Sequence, residues 1–209
     1  MALPLAISIA LLTAYLVGAI PFGLLIGRLR GVDIRTVGSH NTGATNVMRH
    51  VGPRWGVLTL ALDVLKGYAA VAATPLAIEH LAQAAVPAWL ALACGAAAIV
   101  GHNWPVYLRF KGGKGVATSA GVLLGIAPLA FLCGLLAFAL VFGLSRYVSL
   151  GSIAAAMAVP VAAWLMREPQ DMTTPTVLTL LGAIVIWRHR GNIQRLLSGN
   201  ENRVGKRCG

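Results

Sequence analysis

Ser39, Asn41, Thr45, Asn46 and Arg49 fall together in the stretch GSHNTGATNVMRH, residues 38–50. Small hydroxyls, amides and an arginine are the groups that surround a phosphate with charge-assisted hydrogen bonds. A simple connector needs no such set. A second stretch, RFKGGKGVATSAG at 109–121, sets Lys111 and Lys114 around Gly112, Gly113 and Gly115, just ahead of a helix start. Glycines free the backbone to turn its N–H groups inward. N–H groups at a helix N-terminus, with a lysine beside them, make an anion site. The nucleotide pattern G-x-x-x-x-G-K-[ST] fails here, because Lys114 is followed by Gly115. The competing reading is a glycine-rich basic connector.

Two further segments are polar. SRYVSLGSI, 145–153, carries Ser149 and Ser152, and serines at a helix start are commonly caps. WRHRGNIQRLLSGNE, 187–201, repeats His189, Asn192 and Arg195 at intervals of three, so a continuing helix puts them on one face. A basic tail resting on acidic lipid headgroups would have the same composition. No histidine has an aspartate five residues on, no G-x-S-x-G elbow occurs, and no His/Cys spacing suits zinc. Neither a metal nor another cofactor is expected, and there is little sign of a covalent nucleophile. Cys94 and Cys133 sit in apolar runs, and Cys208 is a tail thiol.

The elements that must position these groups are apolar. The chain of 209 residues is 57% hydrophobic and 11% charged, against about 25% charged residues in soluble domains. Apolar runs cover roughly 2–27, 55–76, 86–107, 116–144, 148–166 and 175–187. The composition defines an all-α integral membrane protein, and with no internal repeat it reads as one domain, 1–209. The net charge of +11 would suggest nucleic acid in a soluble protein. Here it reflects cations on cytoplasmic loops, and nucleic acid is not expected as a partner. The opening run lacks a basic leader and a cleavage site, and reads as a retained first helix.

The 116–144 stretch decides the topology. It is long for one helix and short for two. A single crossing would put Arg146 and the arginine-rich tail opposite Arg109, Lys111 and Lys114, against the positive-inside rule. A turn near Ala127–Pro128 puts every basic cluster on one side. The expectation is seven transmembrane helices, two of them short, with the N-terminus outside and the C-terminus cytoplasmic. The polar loops and His40, His50, His102 and His189 then face the cytoplasm. Asp63 and Lys66, three apart within one helix, share a face and read as a structural pair. Glycines within the helices, such as Gly95, Gly121, Gly125 and Gly134, mark tight packing.

Taken together, S-H-N-T-G-A-T-N-V-M-R (39–49), D-V-L-K-G (63–67), G-H-N-W-P (101–105), K-G-G-K-G-V-A-T (111–118), S-L-G-S (149–152) and H-R-G-N-I-Q-R-L-L-S-G-N-E (189–201) resemble the bacterial integral-membrane glycerol-3-phosphate acyltransferases that use acyl phosphate. The matches span nearly the whole chain in order. The resemblance implies a seven-helix enzyme of the bacterial inner membrane with its site facing the cytoplasm. It implies the first acylation of phospholipid synthesis: acyl transfer from acyl phosphate to the free hydroxyl of glycerol 3-phosphate, giving lysophosphatidate and inorganic phosphate. Its partners would be these two substrates, membrane lipids and an upstream enzyme that forms acyl phosphate.

By position, the resemblance gives Ser39, Arg49, Lys114, His189 and Asn192 the catalytic roles of binding the glycerol phosphate and polarising the reacting groups. It gives Asn41, Thr45 and Asn46 the shaping of the first loop, and Lys111, Gly112, Gly113 and Gly115 a phosphate cradle. It leaves Ser149 and Ser152 as alternatives for one hydroxyl, and sets Glu201 to orient a basic tail residue such as Arg195. Two positions depart from the family: His40 stands where a glycine is usual, and Gly151 where a serine is common. The base is left between a substrate phosphate oxygen and His189. A phosphate transporter would place its charges at the midplane and in repeated halves, unlike this chain. A non-catalytic scaffold would tolerate loss of Lys114 or Arg49.

Overall fold

The computed structural model describes residues 2–167 and 170–205. Glu168, Lys206, Arg207 and Cys208 lie outside the described residues. The regular structure among the described residues is helical, and it forms two compact units, Met1–Ile126 and Ala127–Gly209.

In the first unit, α1 (Leu3–Ala19) breaks at Ile20–Pro21, where proline withholds an N–H from the helix. The chain resumes as α2 (Phe22–Leu29), crosses a polar loop, and forms α3 (Ala44–His50), α4 (Pro53–Ala82), α5 (Trp89–Asn103) and α6 (Val116–Ile126). Lipid gives helices no hydrophobic reason to associate, so close backbone approach must do it. Gly18 of α1 lies against the Ala98 backbone of α5, and Gly101 of α5 against the Tyr15 carbonyl of α1. Gly67 of α4 and Gly121 of α6 make the same reciprocal contact with Thr118 and Val64. A Cβ at any of these four would overlap the facing backbone. Ala6, Ala10, Ala14, Ala98 and Cys94 are completely buried between the helices.

The second unit holds α7 (Pro128–Ser145), α8 (Val148–Leu165), α9 (Thr173–Arg188) and α10 (Arg190–Leu197). Gly134 of α7 faces Val159 of α8, and Gly182 of α9 faces the Ala156 carbonyl of α8. Gly151 of α8 sits against Phe138, whose carbonyl oxygen would lie 3.1 Å from an added Cβ. A serine here would therefore crowd Phe138.

The expected break at Ala127–Pro128 is present: α6 ends at Ile126 and α7 starts at Pro128. Among the described residues, four helical segments are long and apolar enough to cross a bilayer: Leu3–Leu29, Pro53–Ala82, Pro128–Ser145 and Val148–Leu165. At 15, 11 and 16 residues, α5, α6 and α9 are shorter than the roughly 20 that a full span takes.

Candidate active site

In the first unit, Asn46 organises the loop ahead of α3. Its Nδ2 donates to the carbonyls of Ile34 (2.8 Å), Asn41 (3.0 Å) and Val37 (3.2 Å). Its Oδ1 accepts the Ser39 N–H at 3.3 Å. Asn41 Oδ1 accepts the Gly43 N–H at 2.9 Å, closing a turn into the helix. Asn46 thus spends its amide, and Asn41 its amide oxygen, on the loop itself. The Ser39 and Arg49 side chains are exposed, and Thr45 is half-buried.

The departure at His40 has a conformational meaning. Its φ is +55°, in the left-handed region that favours glycine. Its Nδ1 lies 2.8 Å from the Arg35 carbonyl oxygen, which ties the ring to the loop. Arg35 pairs with Asp33 at 2.6 Å, and hydrogen bonds from Arg35 hold the Asp33 carboxyl well below the usual carboxylate range. A cavity of about 530 Å³ is lined by Arg35, His40, Tyr107, Leu108, Arg109 and Lys111. Arg109 and Phe110 on the same connector also have positive φ, +51° and +62°.

The glycine loop is seated on the end of α5. The Gly113 N–H donates to the His102 carbonyl at 3.0 Å, and the Gly112 N–H to the Asn103 carbonyl at 3.3 Å. These two N–H groups satisfy orphaned helix carbonyls. Gly115 has φ +82° and leads into α6. Lys114 is half-buried, and Lys111 is exposed at the cavity rim.

In the second unit, Glu201 is a hub. Its Oε1 accepts from Asn192 Nδ2 at 2.7 Å and from Ser149 Oγ at 2.8 Å, and its Oε2 accepts from Arg195 Nε at 2.8 Å. Burial alone would raise its carboxyl, but these hydrogen bonds outweigh it and hold the group below its ordinary range. Ser152 Oγ instead donates to Val148 within its own helix at 2.9 Å, so of the two serines Ser149 joins the carboxylate. His189 is buried at the junction of α9 and α10, with Nδ1 2.8 Å from the Val185 carbonyl oxygen. That contact places a proton on Nδ1 and makes Nε2 the nitrogen whose protonation can change.

Sequence reasoning missed one constellation. The Asp63–Lys66 pair was legible from its spacing, and it closes at 2.7 Å. Its third member, His102 of α5, was not, since only packing brings α4 and α5 together. Lys66 Nζ donates to His102 Nδ1 at 3.0 Å and to the Ile20 carbonyl at 2.9 Å.

Glycine-seamed apolar helices that carry cation- and amide-rich loops define a polytopic membrane protein. The chain belongs to the glycerol-3-phosphate acyltransferase family, whose pattern it matches over residues 8–199. It is 50% identical to the glycerol-3-phosphate acyltransferase of Syntrophotalea carbinolica, over 93% of this chain and 96% of that one. It is 47% identical to that of Geotalea daltonii, over 93% and 95%. The crystal structure of PlsY, an integral membrane glycerol 3-phosphate acyltransferase, in its glycerol 3-phosphate form superposes with a TM-score of 0.85 at 40% identity, covering 95% of this chain and 96% of that one. The lysophosphatidic acid form of PlsY gives 0.82 at 39% identity, covering 95% of each chain.

Proposed function

We propose that this protein transfers an acyl group from acyl phosphate to the free hydroxyl of glycerol 3-phosphate. The observation that carries the reading is the near-complete likeness to PlsY in its glycerol 3-phosphate form. The hydroxyl oxygen attacks the acyl carbonyl carbon, the bond from that carbon to the phosphate oxygen breaks, and inorganic phosphate leaves. The hydroxyl proton passes to a phosphate oxygen of the substrate. The lysophosphatidate formed is the first acylated intermediate of phospholipid synthesis.

The chemistry suits these residues. An acyl phosphate is already activated, so the main barrier is bringing two anions together with the hydroxyl aimed at the carbonyl. Orientation can supply about 7–11 kcal/mol of barrier lowering, and fixed donors stabilise the charge that grows on the oxygens. In this reading the candidate residues for contact with the reacting groups are Ser39, Arg49, Lys114, His189 and Asn192. Because Gly112 and Gly113 donate to α5, the N–H groups opening α6 do the cradling, with Lys114 beside them.

The protein acts in the bacterial inner membrane with its site toward the cytoplasm. It crosses seven times, through α1–α2, α4, α5, α6, α7, α8 and α9, with the N-terminus outside. Its donor comes from an enzyme that forms acyl phosphate. The test is donor choice: purified protein should pass label from acyl phosphate, and not from an acyl thioester, to glycerol 3-phosphate. Equal transfer from both would refute the assignment of the donor.

A further inference from the structure

We infer that Asp63, Lys66 and His102 are positioning residues for the glycine loop at 111–115. The inference rests on the acyltransferase reading only for its kinetic arm. The three residues are 2%, 4% and 8% exposed. The Lys66 ammonium hydrogen-bonds to the Ile20 carbonyl and to His102 Nδ1, and it ion-pairs with Asp63 Oδ1 at 2.7 Å. A lysine so committed cannot also hold a phosphate. The lysine and aspartate charges cancel, so the group adds little net field to an anion site. Geometry is what it supplies.

The geometry runs from α4 to the loop in two contacts. An ammonium only donates, so His102 Nδ1 must accept, which fixes the orientation of the ring and places its proton on Nε2. The fixed ring then fills the space beside Gly113, where any side chain would overlap it. The carbonyl of the same histidine receives the Gly113 N–H. His102 thus grips Gly113 by ring and by backbone, and Lys66 sets the grip. The Ile20 carbonyl, next to the helix-breaking Pro21, is held by the same ammonium. One buried charge therefore registers the α1–α2 break, α5 and the loop together.

The test uses two variants. Asp63→Asn/Lys66→Met removes both charges at once, which avoids leaving one buried and unpaired. His102→Phe keeps a ring but removes the acceptor. Thermal unfolding in detergent reports whether each variant folds. Hydrogen exchange of the peptide spanning 111–116 reports the loop, and KM and kcat are measured for each substrate. In folded variants, loop amide exchange should rise at least about tenfold, and KM for glycerol 3-phosphate should rise about tenfold, more than KM for acyl phosphate. Unchanged exchange in a folded variant would overturn the inference, as would a failure of both variants to fold. A wild-type protein without turnover would refute the acyltransferase reading and leave the exchange arm to decide this one.

Discussion

Ser149 Oγ donates to Glu201 Oε1 at 2.8 Å, joining the first turn of α8 to a carboxylate 52 residues further along the chain. Asn192 and Arg195 of α10 bond to the same carboxylate. Losing one neutral hydroxyl partner costs about 1 kcal/mol, whereas removing the charge weakens three bonds together. Ser149→Ala should therefore lower the unfolding midpoint in detergent slightly, and Glu201→Gln more. The carboxyl is held below its ordinary value of 4.5. Stability drawn from it is fully present above that value and is lost as pH falls through the lowered folded-state value. The difference in midpoint between wild type and Glu201→Gln should thus be constant near neutrality and shrink as pH drops below about 4.5.

Gly113 and Gly143 form a matched pair of predictions. A methyl at Gly113 would overlap the His102 ring, while one at Gly143, within α7, would meet nothing within 4 Å. Gly113→Ala should destabilise by roughly 1–3 kcal/mol through overpacking and impair turnover. Gly143→Ala should stabilise by up to about 1 kcal/mol through helix propensity. Unfolding midpoints in detergent, with activity at saturating substrate, check both.

The fold was legible where composition and length alone decided it. Apolar runs gave the helices, and Pro128 with the excess length of 116–144 gave the break that the structure places between Ile126 and Pro128. Charge spacing gave the Asp63–Lys66 pair. Partnerships set by packing were not legible. His102 reaches Lys66 only because α5 lies against α4, and the Gly112 and Gly113 N–H groups turn to α5 carbonyls. The sequence could not choose between Ser149 and Ser152, because which hydroxyl meets Glu201 depends on where the tail returns. The anion-loop expectation was framed on glycine flexibility. A glycine that must avoid a neighbouring ring looks the same in sequence.

His40 should be dispensable for the fold. A non-glycine residue at φ +55° costs roughly 1–2 kcal/mol, and the contact with the Arg35 carbonyl oxygen offsets part of that. His40→Gly should leave stability and turnover close to wild type. His40→Val, stiff and β-branched, should destabilise by more than about 1 kcal/mol. Thermal unfolding of the three proteins side by side gives the order.

His189 separates two proton paths. With Nδ1 held by the Val185 carbonyl, only Nε2 can bind a phosphate or take a proton. If the substrate phosphate is the acceptor, as proposed, His189→Asn should raise KM for glycerol 3-phosphate, and excess substrate should restore part of the rate. Complete inactivity at every pH and every substrate concentration, in a folded variant, would make His189 the base.

Phosphate release by the purified protein bears most directly on the central claim. With acyl phosphate and labelled glycerol 3-phosphate both present, inorganic phosphate and labelled lysophosphatidate should form in equal amounts, and neither should form when one substrate is withheld. Phosphate release that does not depend on glycerol 3-phosphate, or no release with both substrates present, would contradict it.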